Sequence, residues 1–360
     1  MTCLYASHIS YSEFTERIYK TAHKKRIPVS GTWEISFACN LSCVHCYCPK
    51  HASPRPLGIE KMRRLIDQIS ENGCLWLLFT GGEPLYHPDF TKIYAYAKKK
   101  GILTTLFTNA TLITDEIADF LREYPPLNVE ISLYGIKSST YEAVTGVTGS
   151  FKACLEGINR LIERKVKFSL KTMALTINLA EIEAISRYAE DLGVSFRIDA
   201  SINSTIESSS APCRYRISPQ EAVGLDFSNK KRSESWNKFL KQYPLNNESG
   251  NIYNCSAGVT SFHIDPEGNL SPCVMARKPS CDITAGPFGN AWNNDIAQAL
   301  KEKLSYNNPC RICQISNLCS QCPGWSQFEH NDNQATVSYL CQTAHLRAEK
   351  LGLALKAKIR

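Results

Sequence analysis

The stretch CNLSCVHCYCPK sets Cys39, Cys43, Cys46 and Cys48 within ten residues of chain. The spacing Cys-x3-Cys-x2-Cys of the first three places their thiols on one tight loop. Cys48 follows Cys46 after a single residue, and side chains so placed tend to point apart, so Cys48 is expected to be spare. No tetrahedral zinc site fits this spacing comfortably, whereas three soft thiolates suit an iron–sulfur cluster. Three protein ligands on a four-iron cubane leave one iron open, and an open metal position invites a small-molecule ligand.

Eight more of the sixteen cysteines fall between Cys255 and Cys341, and only Cys3, Cys74, Cys154 and Cys213 lie elsewhere. Cys74 precedes the apolar run LWLLFT and Cys154 sits in a helical pattern, so both read as ordinary buried thiols. The first residues lack an apolar core followed by a cleavage site, and no apolar run is long enough to span a membrane. The expected compartment is the cytoplasm, with no membrane partner. Thiols this numerous in a reducing cytosol argue for metal rather than disulfides. A net charge of +7 over 360 residues, 21% of them charged, is that of a solvated globular surface and gives no ground for a nucleic-acid partner. The run Cys310-x2-Cys313-x5-Cys319-x2-Cys322 would by itself pass for a structural zinc site. One zinc, however, would strand Cys255, Cys273 and Cys341.

The elements that must position these residues alternate from Thr32 to about Asn203. Strand candidates are TWEISFA (32–38), LWLLFT (75–80), ILTTLF (102–107), NVEISLY (128–134), VKFSLKTMAL (166–175) and VSFRID (194–199). Helical patterns such as GIEKMRRLIDQIS and FKACLEGINRLIERK separate them, several ending in Lys or Gly. Six such alternations predict an α/β fold with a parallel sheet and right-handed crossovers, a partial (β/α)6 TIM-like barrel short of the full eight units. Chemistry then gathers at the carboxyl ends of the strands, which is where Cys39, Cys43 and Cys46 fall. The division expected is an N-terminal segment (1–30), the barrel (31–205), a linker region (206–250), a small cysteine-rich domain (251–345) and a basic tail helix (346–360). The cysteine-rich part shows little periodicity and much Gly and Pro, so metal is expected to replace a hydrophobic core as its staple.

With these marks the chain resembles the radical S-adenosylmethionine (radical SAM) enzymes, whose signature is C-x3-C-x-aromatic-C; His45 occupies the aromatic position. Gly81, Gly82, Glu83 and Pro84, directly after the second strand, resemble the family's turn that binds the amino group of S-adenosylmethionine through its backbone. Asn109, after the third strand, and Ser132, ending the fourth, fall at further cofactor-contact positions. The resemblance covers residues 31–205. It implies one [4Fe-4S] cluster on Cys39, Cys43 and Cys46, with the cofactor's amino and carboxylate groups on the open iron. Reductive cleavage would give methionine and a 5′-deoxyadenosyl radical that removes hydrogen from a substrate, with one electron from a donor such as flavodoxin or ferredoxin.

The later cysteines resemble the SPASM extension of the same superfamily: Cys255, then Gly268 and Cys273, then Cys310, Cys313, Cys319, Cys322 and Cys341, with one interval a residue shorter than the pattern. The resemblance implies two auxiliary [4Fe-4S] clusters, one on Cys310, Cys313, Cys319 and Cys341. The other rests on Cys255, Cys273 and Cys322, its fourth position open or filled by Cys281 or Cys213. Elsewhere, His87 reads as a loop-packing group. Arg197 and Asp199 end the sixth strand, either as cofactor or substrate contacts or as a structural pair, and Lys171 and Thr172, in the fifth strand, are candidates to contact a cofactor carboxylate.

SPASM members modify peptides and proteins, so a precursor peptide or protein is the expected substrate, to be crosslinked, oxidised or epimerised. The thirty residues before the barrel are short for a leader-binding domain, so a separate leader-binding protein is a further expected partner. Tailoring of a small molecule such as a tetrapyrrole is the alternative. Sulfatase maturation is disfavoured because Val274 stands where those members carry Asp. A non-enzymatic iron–sulfur or zinc scaffold would not need the GGEP turn.

Overall fold

The structure is a computed structural model that describes residues 9–49, 57–243 and 250–353. Parts of the expected N-terminal segment, linker and basic tail lie outside these residues. Strands β1 (Ser30–Glu34), β2 (Trp76–Thr80), β3 (Leu103–Thr108), β4 (Asn128–Ser132), β5 (Phe168–Met173) and β6 (Phe196–Asp199) form where the alternation places them. They pair in parallel with their neighbours in chain order.

The crossovers carry helices for a local reason. In the helix α2 (Ile59–Glu71), which follows the N-terminal helix α1 (Tyr11–Lys25), Met62, Leu65, Ile66 and Ile69 recur at helical spacing and are all buried. The same arrangement recurs in α3 (Phe90–Lys99), α4 (Asp115–Glu123), α5 (Ser138–Thr145), α6 (Ser150–Glu163) and α7 (Ile182–Asp191). Strand alternation then sorts the sheet's two faces. Leu77, Phe79, Leu106, Val129, Ile131 and Leu170 join the helices in one continuous core. The opposite face carries Glu34, Phe107, Glu130, Ser132, Lys171, Arg197 and Asp199, whose registers set them side by side.

Beyond β6 the chain departs from expectation. Residues 206–250 hold two capped helices, α8 (Pro219–Asp226), with a capping box of Ser218 and Glu221, and α9 (Lys230–Gln242), capped by Asn229. More consequentially, β7 (Ser261–Ile264) pairs in parallel with β1, and β8 (Asn269–Ser271) and β9 (Cys281–Asp282) continue antiparallel. One nine-stranded sheet results, in the order β6-β5-β4-β3-β2-β1-β7-β8-β9. The expectation that metal replaces a core here is corrected for its first half. Phe262, Ile264, Leu270, Phe288, Trp292 and Ile296 belong to the barrel's own core, with Phe262 and Phe288 packed edge to face at 5.1 Å. Only the end, with α10 (Pro323–His330) and α11 (Ser338–Lys350), rests on two small clusters around Leu318 and Trp325. The last described helix runs across residue 345 and ends at Lys350. No described helix is long and apolar enough to cross a membrane.

Candidate active site

The loop after β1 is held from three sides. Its Ser42 and Val44 amides donate to the carbonyls of Thr145 and Val144 at the end of α5 (both 2.9 Å). The Asn109 side chain donates to Asn40 Oδ1 (3.0 Å) and lies 3.9 Å from Cys39 Sγ. Beneath the loop, the Gly82 and Glu83 amides donate to the carbonyls of Ser36 (2.7 Å) and Ala38 (2.9 Å). Only glycine permits this crossing: a Cβ on Gly81, at φ 139°, would stand 2.2 Å from the Ser36 carbonyl oxygen, and one on Gly82 2.5 Å from that of Ala38. The close approach that the glycines allow is thus first to the protein's own backbone. With these two amides engaged, the carbonyls of the turn are the groups suited to receive an ammonium.

Glu83 is fully buried and accepts from Thr108 Oγ1 (2.8 Å) and from the amides of Asn109 (2.8 Å) and Leu85 (3.1 Å). Burial pushes its carboxyl up to about 7 against these hydrogen bonds. Gly81–Pro84 and Asn109 therefore form one brace with the cysteine loop. Ser132 stands apart from it, beside Lys171 in the register.

Cys39, Cys43 and Cys46 come together. Burial drives the Cys39 thiol up to about 11, helped by the charges of Glu83 and Cys46, and all three thiols act on the nearby Tyr134 hydroxyl. The Cys39 thiol holds its proton at neutral pH until a metal displaces it. His45 is half-buried and packs edge-on against Tyr134 (4.9 Å), its buried Nδ1 without a hydrogen-bond partner and its pKa lowered by desolvation to about 4. Cys48, expected to be spare, is buried against Cys46 and 3.9 Å from the Gly81 carbonyl.

The later cysteines sort into two sets. Cys319, raised by burial to about 12, feels Cys310, Cys341 and Cys313. Cys322 feels Cys273 and Cys255. Gly324 makes the second grouping possible, since a Cβ there would meet the Met275 backbone at 2.3 Å. The turn opening α10 aims the Trp325 amide at Cys322 Sγ (3.3 Å), a polarity that favours a thiolate. Cys281 instead faces Asp295, and Cys213 accepts from Arg216 Nη2 (3.0 Å) beside Glu329. Among the described residues no three His, Cys, Asp or Glu side chains converge as the ligands of a single ion. Sets of neighbouring but unconverged thiols fit clusters, in which each cysteine takes its own iron.

The rest of the inner face is ionic and internally matched. Lys171 Nζ stands 3.4 Å from Glu130 Oε1 and 3.4 Å from the Phe107 ring centre, and burial lowers it to about 8. Arg197 reaches the same Glu130 oxygen at 2.5 Å and Asp199 at 4.0 Å. Thr172 lies on the other side of β5, where its Oγ1 accepts from Asn178 (3.4 Å). His87 is a loop-packing group whose Nδ1 accepts from the Asp89 amide (3.1 Å). An open cavity of about 600 Å³ between Asn128, Lys165 and Ser195 lies at the amino ends of β4–β6, the wrong end for this chemistry.

Sequence reasoning missed a second fully buried carboxyl in the site. Glu34 ends β1 with no exposure and accepts from Tyr47 Oη (2.7 Å) and Arg277 Nη2 (2.7 Å); its Oε2 is 3.0 Å from His263 Nε2. Burial would raise this carboxyl, but His263, Arg277 and Tyr47 outweigh it and hold it at about 2. Its one sequence signal was a lone acid within the apolar run TWEISFA. The node ties the cysteine loop, through Tyr47, to the segment just after Cys273.

Residues 33–189 match the Radical SAM superfamily, and residues 255–323 match the SPASM iron–sulfur cluster-binding domain. An AdoMet-dependent heme synthase of Methanosarcina barkeri is 24% identical over 81% of this chain and 89% of its own. The mycofactocin maturase MftC of Mycobacterium tuberculosis is 27% identical over 81% and 77%. The fold is that of Streptococcus suis SuiB bound to its precursor peptide SuiA, at a TM-score of 0.69 and 17% identity over 95% of this chain and 83% of that one. The brace around Cys39, Cys43 and Cys46, the two later thiol sets and these matches lead to one conclusion: the chain belongs to the radical SAM superfamily and is a radical SAM enzyme with a C-terminal SPASM domain.

Proposed function

We propose that the enzyme acts on a ribosomally made peptide or protein, crosslinking, oxidising or epimerising a residue through removal of an unactivated hydrogen. The observation that carries this reading is the neutralised lining of the site. Lys171 and Arg197 share Glu130, Arg216 is paired with Glu329, and Arg277 with Glu34. A carboxylate-rich tetrapyrrole calls for cations free to receive its acid groups, whereas these are already matched, as suits a neutral stretch of polypeptide. The maturase relative and the peptide-bound neighbour support the same substrate class.

In this reading Cys39, Cys43 and Cys46 hold the cluster that binds S-adenosylmethionine. The Gly81–Pro84 turn, Asn109 and Ser132 orient the cofactor. Cys310, Cys313, Cys319 and Cys341 hold one auxiliary cluster and Cys255, Cys273 and Cys322 another, with its fourth position open. When bound, these groups supply one-electron chemistry, and the chain's own work is to position and to exclude water.

The heme synthase relative favours a second reading, an iron porphyrin substrate. The two are separated by incubating anaerobically reconstituted enzyme with S-adenosylmethionine and dithionite. One arm receives peptides from short open reading frames sought beside this gene, the other iron coproporphyrin. A hydrogen loss or crosslink in the peptide, matched by 5′-deoxyadenosine, supports the proposal. Decarboxylated porphyrin with unchanged peptide overturns it.

A further inference from the structure

Helix α9 carries five basic residues and one acidic one, a net charge of +4 that is more than half of the chain's +7. Its two faces differ. Trp236, Phe239 and Leu240 turn inward and share a small apolar cluster with Cys313, Cys319, Leu318 and Ala348. Lys230, Lys231, Lys238 and Lys241 turn outward and are exposed. The nearest acid on the helix, Glu234, reaches only Lys230, at 3.9 Å. The lysine row thus stands about one helix diameter, some 10 Å, from two of the four thiols of an auxiliary set.

The neighbouring surface has the same character. Arg311, between Cys310 and Cys313, is exposed over the ring of Tyr306 at 5.7 Å. Tyr306 is 87% and Ile312 73% exposed, the two most exposed large apolar side chains among the described residues. Exposed basic side chains beside exposed apolar ones are the composition of a transient docking patch, with charge to steer and a small apolar area to hold.

We propose that the outer face of α9, with Arg311, Tyr306 and Ile312, docks an acidic one-electron carrier protein and passes its electron to the cluster held by Cys310, Cys313, Cys319 and Cys341. One electron leaves the carrier's reduced cofactor and one arrives at the cluster; no bond forms or breaks. Acidity of the partner follows from the lysine row, and its one-electron chemistry from the thiols beneath. The inference rests on the assignment of that thiol set to an iron–sulfur cluster.

The test compares holoenzyme with K230E/K231E/K238E/K241E and with K24E/K25E/K99E/K152E, an equal charge reversal on other exposed lysines. Binding of an acidic flavodoxin is measured by calorimetry, and cluster reduction by photoreduced flavodoxin or by dithionite is followed in a stopped flow. At about 50 mM salt the α9 variant is expected to bind and be reduced at least about tenfold more weakly by flavodoxin. That difference should close near 1 M salt, where the Debye length is about 3 Å. Dithionite reduction, iron content and melting temperature stay unchanged, and the second variant behaves as wild type. Should the α9 variant lose iron, K230Q/K231Q/K238Q/K241Q replaces it, with about half the effect. Unchanged flavodoxin binding, equal loss in both variants, or equally tight binding of a double-stranded DNA oligomer would each overturn the proposal. Failure of dithionite-reduced wild type to release 5′-deoxyadenosine would count instead against the cluster assignment.

Discussion

Glu34→Gln keeps the shape of the side chain and removes the one carboxylate shared by Tyr47, His263 and Arg277. The carboxyl is held at about 2 against an ordinary value of 4.5. At 1.36 kcal/mol per unit, that difference corresponds to about 3 kcal/mol of native-state stabilisation at neutral pH. Breaking a buried ion pair from one side costs a similar ~3–5 kcal/mol, because the guanidinium stays behind without its anion. The sign for pH follows from a depressed acid. The stabilisation is complete above about 4.5 and is lost as pH falls toward about 2. Urea unfolding of wild type and variant, matched in iron content and followed by tryptophan fluorescence, should show a gap of about 3 kcal/mol at pH 7. The gap should be the same at pH 5 and narrower at pH 3. A gap under about 1 kcal/mol at pH 7 would mean that desolvation cancels the attraction, and closure between pH 7 and pH 5 would mean that another group titrates. Either result refutes the account of the node.

Three further outcomes follow from the site. Anaerobically reconstituted protein should hold about twelve irons, falling to about eight in Cys39→Ala/Cys43→Ala/Cys46→Ala and again to about eight in Cys310→Ala/Cys313→Ala, as iron and sulfide analysis would report. Gly82→Ala should displace the Ser36–Ala38 backbone and cut calorimetric affinity for S-adenosylmethionine at least about tenfold, whereas Ala285→Gly, distant from the turn, should not. Lys171 is charged below about 8 and neutral above it. If its ammonium receives the cofactor carboxylate, affinity for S-adenosylmethionine should fall as pH rises through that value, and Lys171→Met should flatten the profile.

The parts of this site that were legible in the sequence are those written at short range. The interval between Cys39, Cys43 and Cys46 sets three thiols on one loop whatever surrounds it, and glycines at 81 and 82 announce a turn no other residue could make. Strand and helix periods gave β1–β6 in order, because each pattern is satisfied within its own few residues. The sorting of the later thiols into two sets came from resemblance rather than from spacing, since Cys319 and Cys322 are three apart yet belong to different sets.

Tertiary structure alone decided where the cysteine-rich segment goes. A four-residue strand such as Ser261–Ile264 carries no mark of its partner, because the backbone groups of any sheet edge can pair with it. The edge left open by β1 lies some 230 residues back along the chain. Once β7 is seated there, Phe262 enters the barrel core, His263 meets Glu34, and Arg277 closes a charge node that joins the two cluster-bearing regions. The sequence by itself determined which residues could hold metal and in what local order. Burial across that distant pairing determined how the metal-binding segments are held together, since a charge such as Glu34 gains its value only when the chain around it excludes water.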